Sequence, residues 1–312
     1  MSSSIRKILL ICISFIVLNT PVCTYADGKF SFEIIRDGNP EDRKLADYIE
    51  KKGTFAKIIK ALNESLVIPY DIQIIMTNSE YGPHYQPAKK LIVLDYGDER
   101  WAAAQYDKNY PDSDKKSREY YLNNINLFSL YHELGHALID AYKIPMVGPE
   151  EDAADSLASV MLLYYFNYGD QILLDNADYF DRAREAGASQ ENQYWDVHAL
   201  NEQRFYRLLC YAYGKSPTYV EEELKENDDE EHNLQKFLAA RKDQCLYEYK
   251  KLNEAWFSIL KAHFTDSEEA DEAINEINQE NPFDASEDAG DDTDKSDSSS
   301  DKEGSGDDDS EE

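Results

Sequence analysis

The residues from Tyr131 to Ser159, YHELGHALIDAYKIPMVGPEEDAADSLAS, are of types and spacing that could do chemistry. His132 and His136 are four positions apart, and residues four apart on an α-helix share one face, so both imidazoles can bind one metal ion. Glu133 lies about 100° further around such a helix. From there it can reach a metal-bound water without being a ligand, which is the mechanical content of the H-E-x-x-H pattern. The spacing therefore predicts a Zn²⁺ site with a general base beside it.

The third metal ligand must come from outside this motif, because a catalytic zinc site takes three protein ligands and leaves one position for water. The connector Pro145–Pro149 would turn the following acidic segment back against the first helix. Glu151 and Asp155 are again four apart and share one helix face. We expect Glu151 to be the ligand and Asp155 to hydrogen-bond a zinc-bound histidine. Two alternatives stay open, namely Glu150 as the ligand and Asp155 itself as the ligand.

A further carboxylate lies on the motif helix. Asp140 follows His136 by four positions, so it can lie on the same face and act as a hydrogen-bond partner behind that histidine. A solvated surface charge is the alternative interpretation of Asp140.

Short β-like runs dominate the region before the motif. FSFEIIRD alternates like a strand, and the following EDRKLADYIEKKGTFAKIIKALNESL has helical spacing with a break at Gly53. YDIQIIMT and KKLIVLDY resemble two strands, and the intervening NSEYGPHYQPA, with its Gly and Pro residues, predicts a hairpin between them.

From Asn123 onward the pattern is helical. The predicted helices are NLFSLYHELGHALIDAYK with Asn123 or Asn124 as its cap, EEDAADSLASVMLLYYFNYG, DQILLDNADYFDRAREAG, WDVHALNEQRFYRLLCYAYG and a last region over about 231–263. The expected fold class is α+β and mostly helical, with a small N-terminal sheet and a helical C-terminal lobe.

Both ends of the chain differ from its middle. Arg6 and Lys7 precede an eleven-residue apolar run, Ile8 to Leu18, which is too short to span a bilayer and is typical of a signal peptide cleaved near Ala26. Residues 281–312 lack the apolar side chains that offset ordering entropy, so we expect a disordered acidic tail. The predicted domain covers 27–280, with an N-terminal lobe over about 27–168 and a helical lobe over about 169–280.

The cysteines and the charge limit the environment and the partners. Cys210 and Cys245 are the two cysteines outside the predicted signal, and an even pair in an exported protein predicts one disulfide. We therefore expect a periplasmic or extracellular protein without stable membrane insertion. The formal charge of −31 argues against nucleic acid as a partner, whereas cationic peptides would be attracted.

The run HELGHALID…GPEEDAAD, with WDVHALNEQRFYRLLCYAYG downstream, resembles the gluzincin (thermolysin-like) zinc peptidases and a family of exported bacterial proteins described as metallopeptidases. The resemblance covers about 57–263. It implies a zincin-like arrangement, in which a small sheet covers the active-site helix and a cleft separates it from a helical lobe. It also implies that His198 stabilises the oxyanion and that Asp196 orients this histidine.

Together these features predict an exported zinc metallopeptidase that hydrolyses peptide bonds in a peptide or protein substrate, with Glu133 as general base. The competing hypothesis is a catalytically silent protein with the same scaffold, which recruits a cationic partner through its acidic surface.

Overall fold

A computed structural model describes residues 27–36, 38–187, 194–226 and 234–279. The predicted signal peptide over 1–26 and the predicted acidic tail over 281–312 lie outside the described residues. All described residues belong to one compact unit, and the predicted boundary between two lobes near residue 168 stays a prediction.

The N-terminal part contains one mixed sheet of four strands in the order β1-β2-β4-β3. The strands are β1 Phe30–Ile34, β2 Ile72–Thr77, β3 His84–Gln86 and β4 Leu91–Asp95. The strands β1, β2 and β4 are parallel, and the short strand β3 pairs antiparallel with β4 at the edge. Ile72, Ile74 and Met76 of β2 alternate inward and are fully buried, which is the period expected of a half-buried strand.

The predicted hairpin between the second and third β-like runs is wrong. The strands β2 and β4 run parallel, and the loop between them first forms β3 on the far side of β4. The tight turn lies instead between β3 and β4, where Lys90 adopts a left-handed conformation with φ of 54°. Local turn residues indicated a reversal correctly, but they do not determine which two strands pair across it.

Four helices precede the connector. They are α1 Pro40–Lys52, α2 Thr54–Ser65, α3 Tyr96–Asn109 and α4 Lys115–Tyr142. Two of them, α2 and α4, pack against the sheet. The predicted break at Gly53 is confirmed, and Gly53 takes the left-handed conformation (φ 68°) that glycine adopts without a Cβ penalty.

The motif helix begins earlier than its apolar pattern predicts. Asp114 is its N-cap and accepts a hydrogen bond from the Ser117 N–H at 2.8 Å. Both predicted caps, Asn123 and Asn124, lie inside the helix. Asn124 is fully buried, and its side chain donates to Asp175 at 2.7 Å. An asparagine can satisfy its side chain by a tertiary hydrogen bond as well as by capping, and sequence alone does not distinguish the two.

The remaining described residues are helical. The elements are α5 Glu150–Tyr165, α6 Gly169–Gly187, α7 Asn201–Lys215, α8 Pro217–Glu226, α9 Leu234–Leu260 and α10 Glu268–Asn278. Helix α7 starts at Asn201, so the predicted extension back to Trp195 is wrong, and 194–200 form turns and irregular backbone. Helices α3, α8 and α10 were not predicted.

Long-range contacts tie the C-terminal helices to the rest. The predicted disulfide is confirmed: Cys210 of α7 is bonded to Cys245 of α9, with Cα atoms 4.9 Å apart. Helix α10 returns to the N-terminal part, where Glu276 pairs with Lys60 of α2. No helix within the described ranges is long and apolar enough to cross a membrane. The expected α+β class with a small N-terminal sheet and a helical C-terminal part is confirmed.

Candidate metal centre

Helix α4 presents both motif histidines on one face. The ring centroids of His132 and His136 are 5.0 Å apart, and their Nε2 atoms each lie 3.2 Å from the same atom, Oε2 of Glu151. One atom from each of the three side chains can be chosen so that all lie within 4.8 Å of one another. Two imidazoles and one carboxylate at this spacing form a donor set that suits Zn²⁺.

Helix α5 supplies the carboxylate because the chain reverses immediately after α4. Lys143 ends α4 in a left-handed conformation (φ 55°), and Pro149 precedes the first turn of α5. The two helices approach closely at Gly135, where an added Cβ would lie 3.0 Å from the Cα of Ala154. The glycine of HELGH thus permits the short helix–helix distance at which Glu151 reaches both histidines.

The other nitrogen of each histidine faces a different acid of α5. His132 Nδ1 lies 2.8 Å from Asp155 Oδ1, and His136 Nδ1 lies 2.8 Å from Glu150 Oε1. Asp155 and Glu150, the two alternative ligands, therefore occupy the side of the rings away from Glu151. Carboxylates in this position fix the tautomer and the orientation of a metal-binding imidazole.

Glu133 is buried beside the three candidate ligands. Its Oε1 is 4.0 Å from His132 Nε2, and the residue is only 6% exposed. Burial raises the pKa of the Glu133 carboxyl, and the two histidines counteract this increase. A carboxyl with a raised pKa is suited to accept and return a proton near neutral pH.

His198 also reaches the centre, from the irregular segment before α7. Its Nε2 is 2.9 Å from Glu151 Oε2, while its backbone N–H donates to Asp196 Oδ1 at 2.9 Å. Asp196 Oδ1 is also 3.3 Å from His198 Nδ1. The structure thus brings His198 and Asp196 to the candidate metal centre, and the His198 side chain keeps 44% of its surface exposed.

Asp140, by contrast, points away from the histidines. Its carboxylate accepts hydrogen bonds from side chains at the sheet and at the end of α4, which are Tyr70 (3.1 Å), Tyr85 (2.9 Å), Lys90 (2.6 Å) and Lys143 (2.7 Å). These partners replace the expected contact with His136 and attach the turn of the β3–β4 hairpin to α4.

A comparison of the sequence with protein families agrees with this geometry. A sequence model for a family described as "Putative metallopeptidase" matches residues 36–260, which is more than half of the chain. The chain belongs to this family. The match confirms that the predicted family is one of metallopeptidases, and with it the predicted enzyme class, whereas the resemblance to the gluzincins stays a prediction. Neither the curated proteins nor the solved structures contain a significant match.

The charges at the centre shift the pKa values of this family member's candidate ligands. Burial alone would lower the pKa of His132, but hydrogen bonds to Asp155 and Glu151 raise it to about 9. Burial would raise the pKa of Glu151, but hydrogen bonds from His132, His136 and His198 hold it well below its ordinary value. The carboxylate is therefore ionised at neutral pH, as a metal ligand must be.

Two functional contacts were not expected from the sequence. Glu150 lies 2.8 Å from Nδ1 of His136, whereas the sequence suggested it only as an alternative ligand. Arg204 of α7 binds both oxygens of Asp155. No sequence signal connects Arg204 with a carboxylate 49 positions away.

Proposed function

We propose that this protein is a zinc-dependent peptidase whose metal is held by His132, His136 and Glu151. The observation that carries this proposal is the convergence of the two Nε2 atoms on one carboxylate oxygen, with Glu133 buried beside them. Three protein donors leave a coordination position open, which is typical of catalytic rather than structural zinc. Zn²⁺ bound there would act as a Lewis acid toward a water molecule and a peptide carbonyl.

Glu133 then acts as the general base. It takes a proton from the attacking water and delivers this proton to the nitrogen of the leaving amine. Its burial supports this role, because a desolvated carboxylate binds a proton more readily than an exposed one.

His198 faces the negative charge that develops on the peptide oxygen. Asp196 supports this role by binding both the backbone N–H and Nδ1 of His198, so that Nε2 points to the centre. A hydrogen-bond donor held in advance toward developing charge stabilises a transition state more than a mobile donor does.

The substrate is a peptide or protein, and we propose that cationic segments are preferred. The formal charge of −31 attracts such segments. The Glu150 and Asp196 side chains at the centre are about half exposed and would meet them. The disulfide Cys210–Cys245 supports an oxidising compartment, and therefore export.

The deciding experiment compares Glu133→Gln with the wild-type protein. We expect both proteins to bind one Zn²⁺ per chain, because Glu133 is not a ligand. Hydrolysis of a peptide library should fall by about 10²–10⁴-fold in the variant, since the base is lost. Zinc content is measured by elemental analysis, and cleavage is measured by mass spectrometry with and without a chelator.

Two further variants complete the comparison. His132→Ala should lose both zinc and hydrolysis, whereas Glu119→Gln, a partly exposed glutamate on the same helix, should keep both. Undiminished hydrolysis in Glu133→Gln would refute the mechanism. Zinc binding without cleavage in the wild-type protein would favour the catalytically silent binding protein instead.

A further inference from the structure

Arg204 of α7 hydrogen-bonds the carboxylate of Asp155, which contacts Nδ1 of His132. Its Nε donates to Asp155 Oδ2 at 2.8 Å and its Nη2 donates to Asp155 Oδ1 at 2.7 Å. The guanidinium lies 3.8 Å from the ring centroid of Phe180 on α6, and the side chain is 13% exposed. A two-point contact of this kind fixes the plane of a carboxylate, which a single hydrogen bond does not.

The same carboxylate connects Arg204 to the metal centre. Oδ1 of Asp155 accepts from Arg204 and also lies 2.8 Å from Nδ1 of His132. When His132 is the neutral imidazole that binds metal, its Nδ1 proton is directed to Asp155. Nε2, the nitrogen that faces Glu151, is then the atom left to bind the metal. The orientation of this imidazole therefore depends on a side chain from a helix that contributes no candidate ligand.

We propose that Arg204 is a positioning residue, which acts through Asp155 to hold His132 ready for the metal. The inference rests on the proposed function, because it takes His132 to be a ligand. It goes beyond that function by making metal affinity depend on the packing of α7 against α5. Arg204 is not itself a candidate ligand, because its guanidinium contacts Asp155 and the ring of Phe180.

The chain itself contains a matched control. Arg207, one turn further along α7, pairs with Asp152 of α5 at 2.5 Å. The two arginines thus link the same two helices by the same type of ion pair. In the part of the chain that the structure describes, no contact joins Asp152 to His132 or His136. Loss of Arg207 therefore tests helix–helix attraction without the connection to the ligand.

The experiment measures zinc affinity of the full chain by competition with a chromophoric chelator. We expect Arg204→Gln to weaken zinc binding about 10–100-fold, the usual effect of losing a partner behind a metal-binding histidine. Arg204→Lys keeps the positive charge but loses the two-point contact with Asp155, so the decrease in zinc affinity should be smaller than in Arg204→Gln. Arg207→Gln should stay within about twofold of the wild-type protein. Thermal melting without metal shows that each variant is folded.

A double-variant cycle separates positioning from general stability. In an Asp155→Asn background, Arg204→Gln should weaken zinc binding much less than it does in the wild-type background, because both substitutions remove the same contact. Full additivity would overturn the proposal, and so would an equal loss of affinity in Arg207→Gln. If Arg204→Gln does not fold, Arg204→Lys is measured instead. Unchanged zinc affinity in Arg204→Lys would then overturn the proposal.

The outcomes also distinguish this inference from the proposed function. A wild-type protein that binds zinc, with Arg204 variants that bind it equally well, would overturn the inference alone. A wild-type protein that binds no zinc would overturn both.

Discussion

At the residue scale, the candidate centre is organised around one oxygen atom. Oε2 of Glu151 lies 3.2 Å from both His132 Nε2 and His136 Nε2, and 2.9 Å from His198 Nε2. A hydrogen bond from an imidazole nitrogen to a carboxylate oxygen requires a proton on that nitrogen. A metal that binds the two motif histidines must displace such protons, so metal binding and protonation compete.

This competition predicts that zinc affinity rises with pH. The pKa of His132 is raised to about 9 and that of His136 is also raised. An imidazole that is protonated at both nitrogens must lose a proton before it binds metal. Between pH 6 and pH 8 the zinc association constant should therefore increase by roughly tenfold or more per pH unit.

The measurement is a chelator competition at several pH values, with correction for the chelator's own protonation. Calorimetry in two buffers of different ionisation enthalpy should show proton release on binding at pH 7. An association constant that does not change with pH over this range would contradict the assignment of these histidines as ligands.

At the element scale, the distance between α4 and α5 determines whether the acids of one helix reach the histidines of the other. Gly135 lies at their closest approach, next to the Ala154 backbone. Asp140 lies five positions further along α4, near the C-terminal end of the helix, and accepts hydrogen bonds from Tyr85 and Lys90 that attach the edge hairpin to this helix. The site helix is thus held by α5 on one side and by the sheet on the other.

Gly135→Val should separate α4 from α5. Even a Cβ would lie only 3.0 Å from Ala154 Cα, and the neighbour is backbone that cannot rotate away. We expect a loss of stability of about 1–3 kcal/mol and a decrease in zinc affinity that exceeds tenfold. Thermal melting and chelator competition measure the two effects.

Gly148→Ala is the control for this substitution. Gly148 lies in the connector, has no atom within 4 Å of an added Cβ and does not have a positive φ. This variant should melt within a few degrees of the wild-type protein and bind zinc equally well. If Gly135→Val melts and binds zinc as the wild-type protein does, the close approach of α4 and α5 at Gly135 is not required for the site.

At the scale of the whole molecule, α7 links the helical part to the candidate metal centre. It bonds to α9 through Cys210–Cys245, packs on α6 and supplies Arg204 to α5. Helix α9 in turn reaches α5 through a buried hydrogen bond of 3.0 Å, from Trp256 Nε1 to Ser156 Oγ. The helices α5, α7 and α9 are therefore connected to one another and pack behind the candidate ligands.

Replacement of both cysteines by serine should destabilise this support. The disulfide closes a loop with a sequence separation of 35, for which loop-closure entropy accounts for about 4 kcal/mol. The melting temperature should fall by about 10 °C for a domain of this size. Thermal melts of the wild-type protein with a reductant should approach those of the double variant.

The reductant provides the control for this prediction. It should leave the melting temperature of the double-serine variant unchanged, because the described residues hold no other disulfide. If the double variant melts at the same temperature as the oxidised wild-type protein, the disulfide contributes nothing to stability.

The features that the sequence predicted correctly are those that depend on local periodicity. The spacing of His132 and His136 determines that they share one helix face, with Glu133 about 100° around it, whatever the rest of the chain does. The break at Gly53 and the alternation in β1 and β2 follow from backbone preferences in the same way. The acidic composition and the cysteine pair are likewise properties that do not depend on the fold.

Only the tertiary structure decided which groups meet. The pairing of β2 with β4 in parallel, the burial of Asn124 and the position of Asp140 at the hairpin depend on contacts between distant segments. The same holds for which acid of α5 faces which histidine nitrogen, because this depends on the rotation and the separation of two packed helices. Arg204 shows the limit most clearly. Its partner is set by the packing of α7 on α5, and no local pattern contains that information.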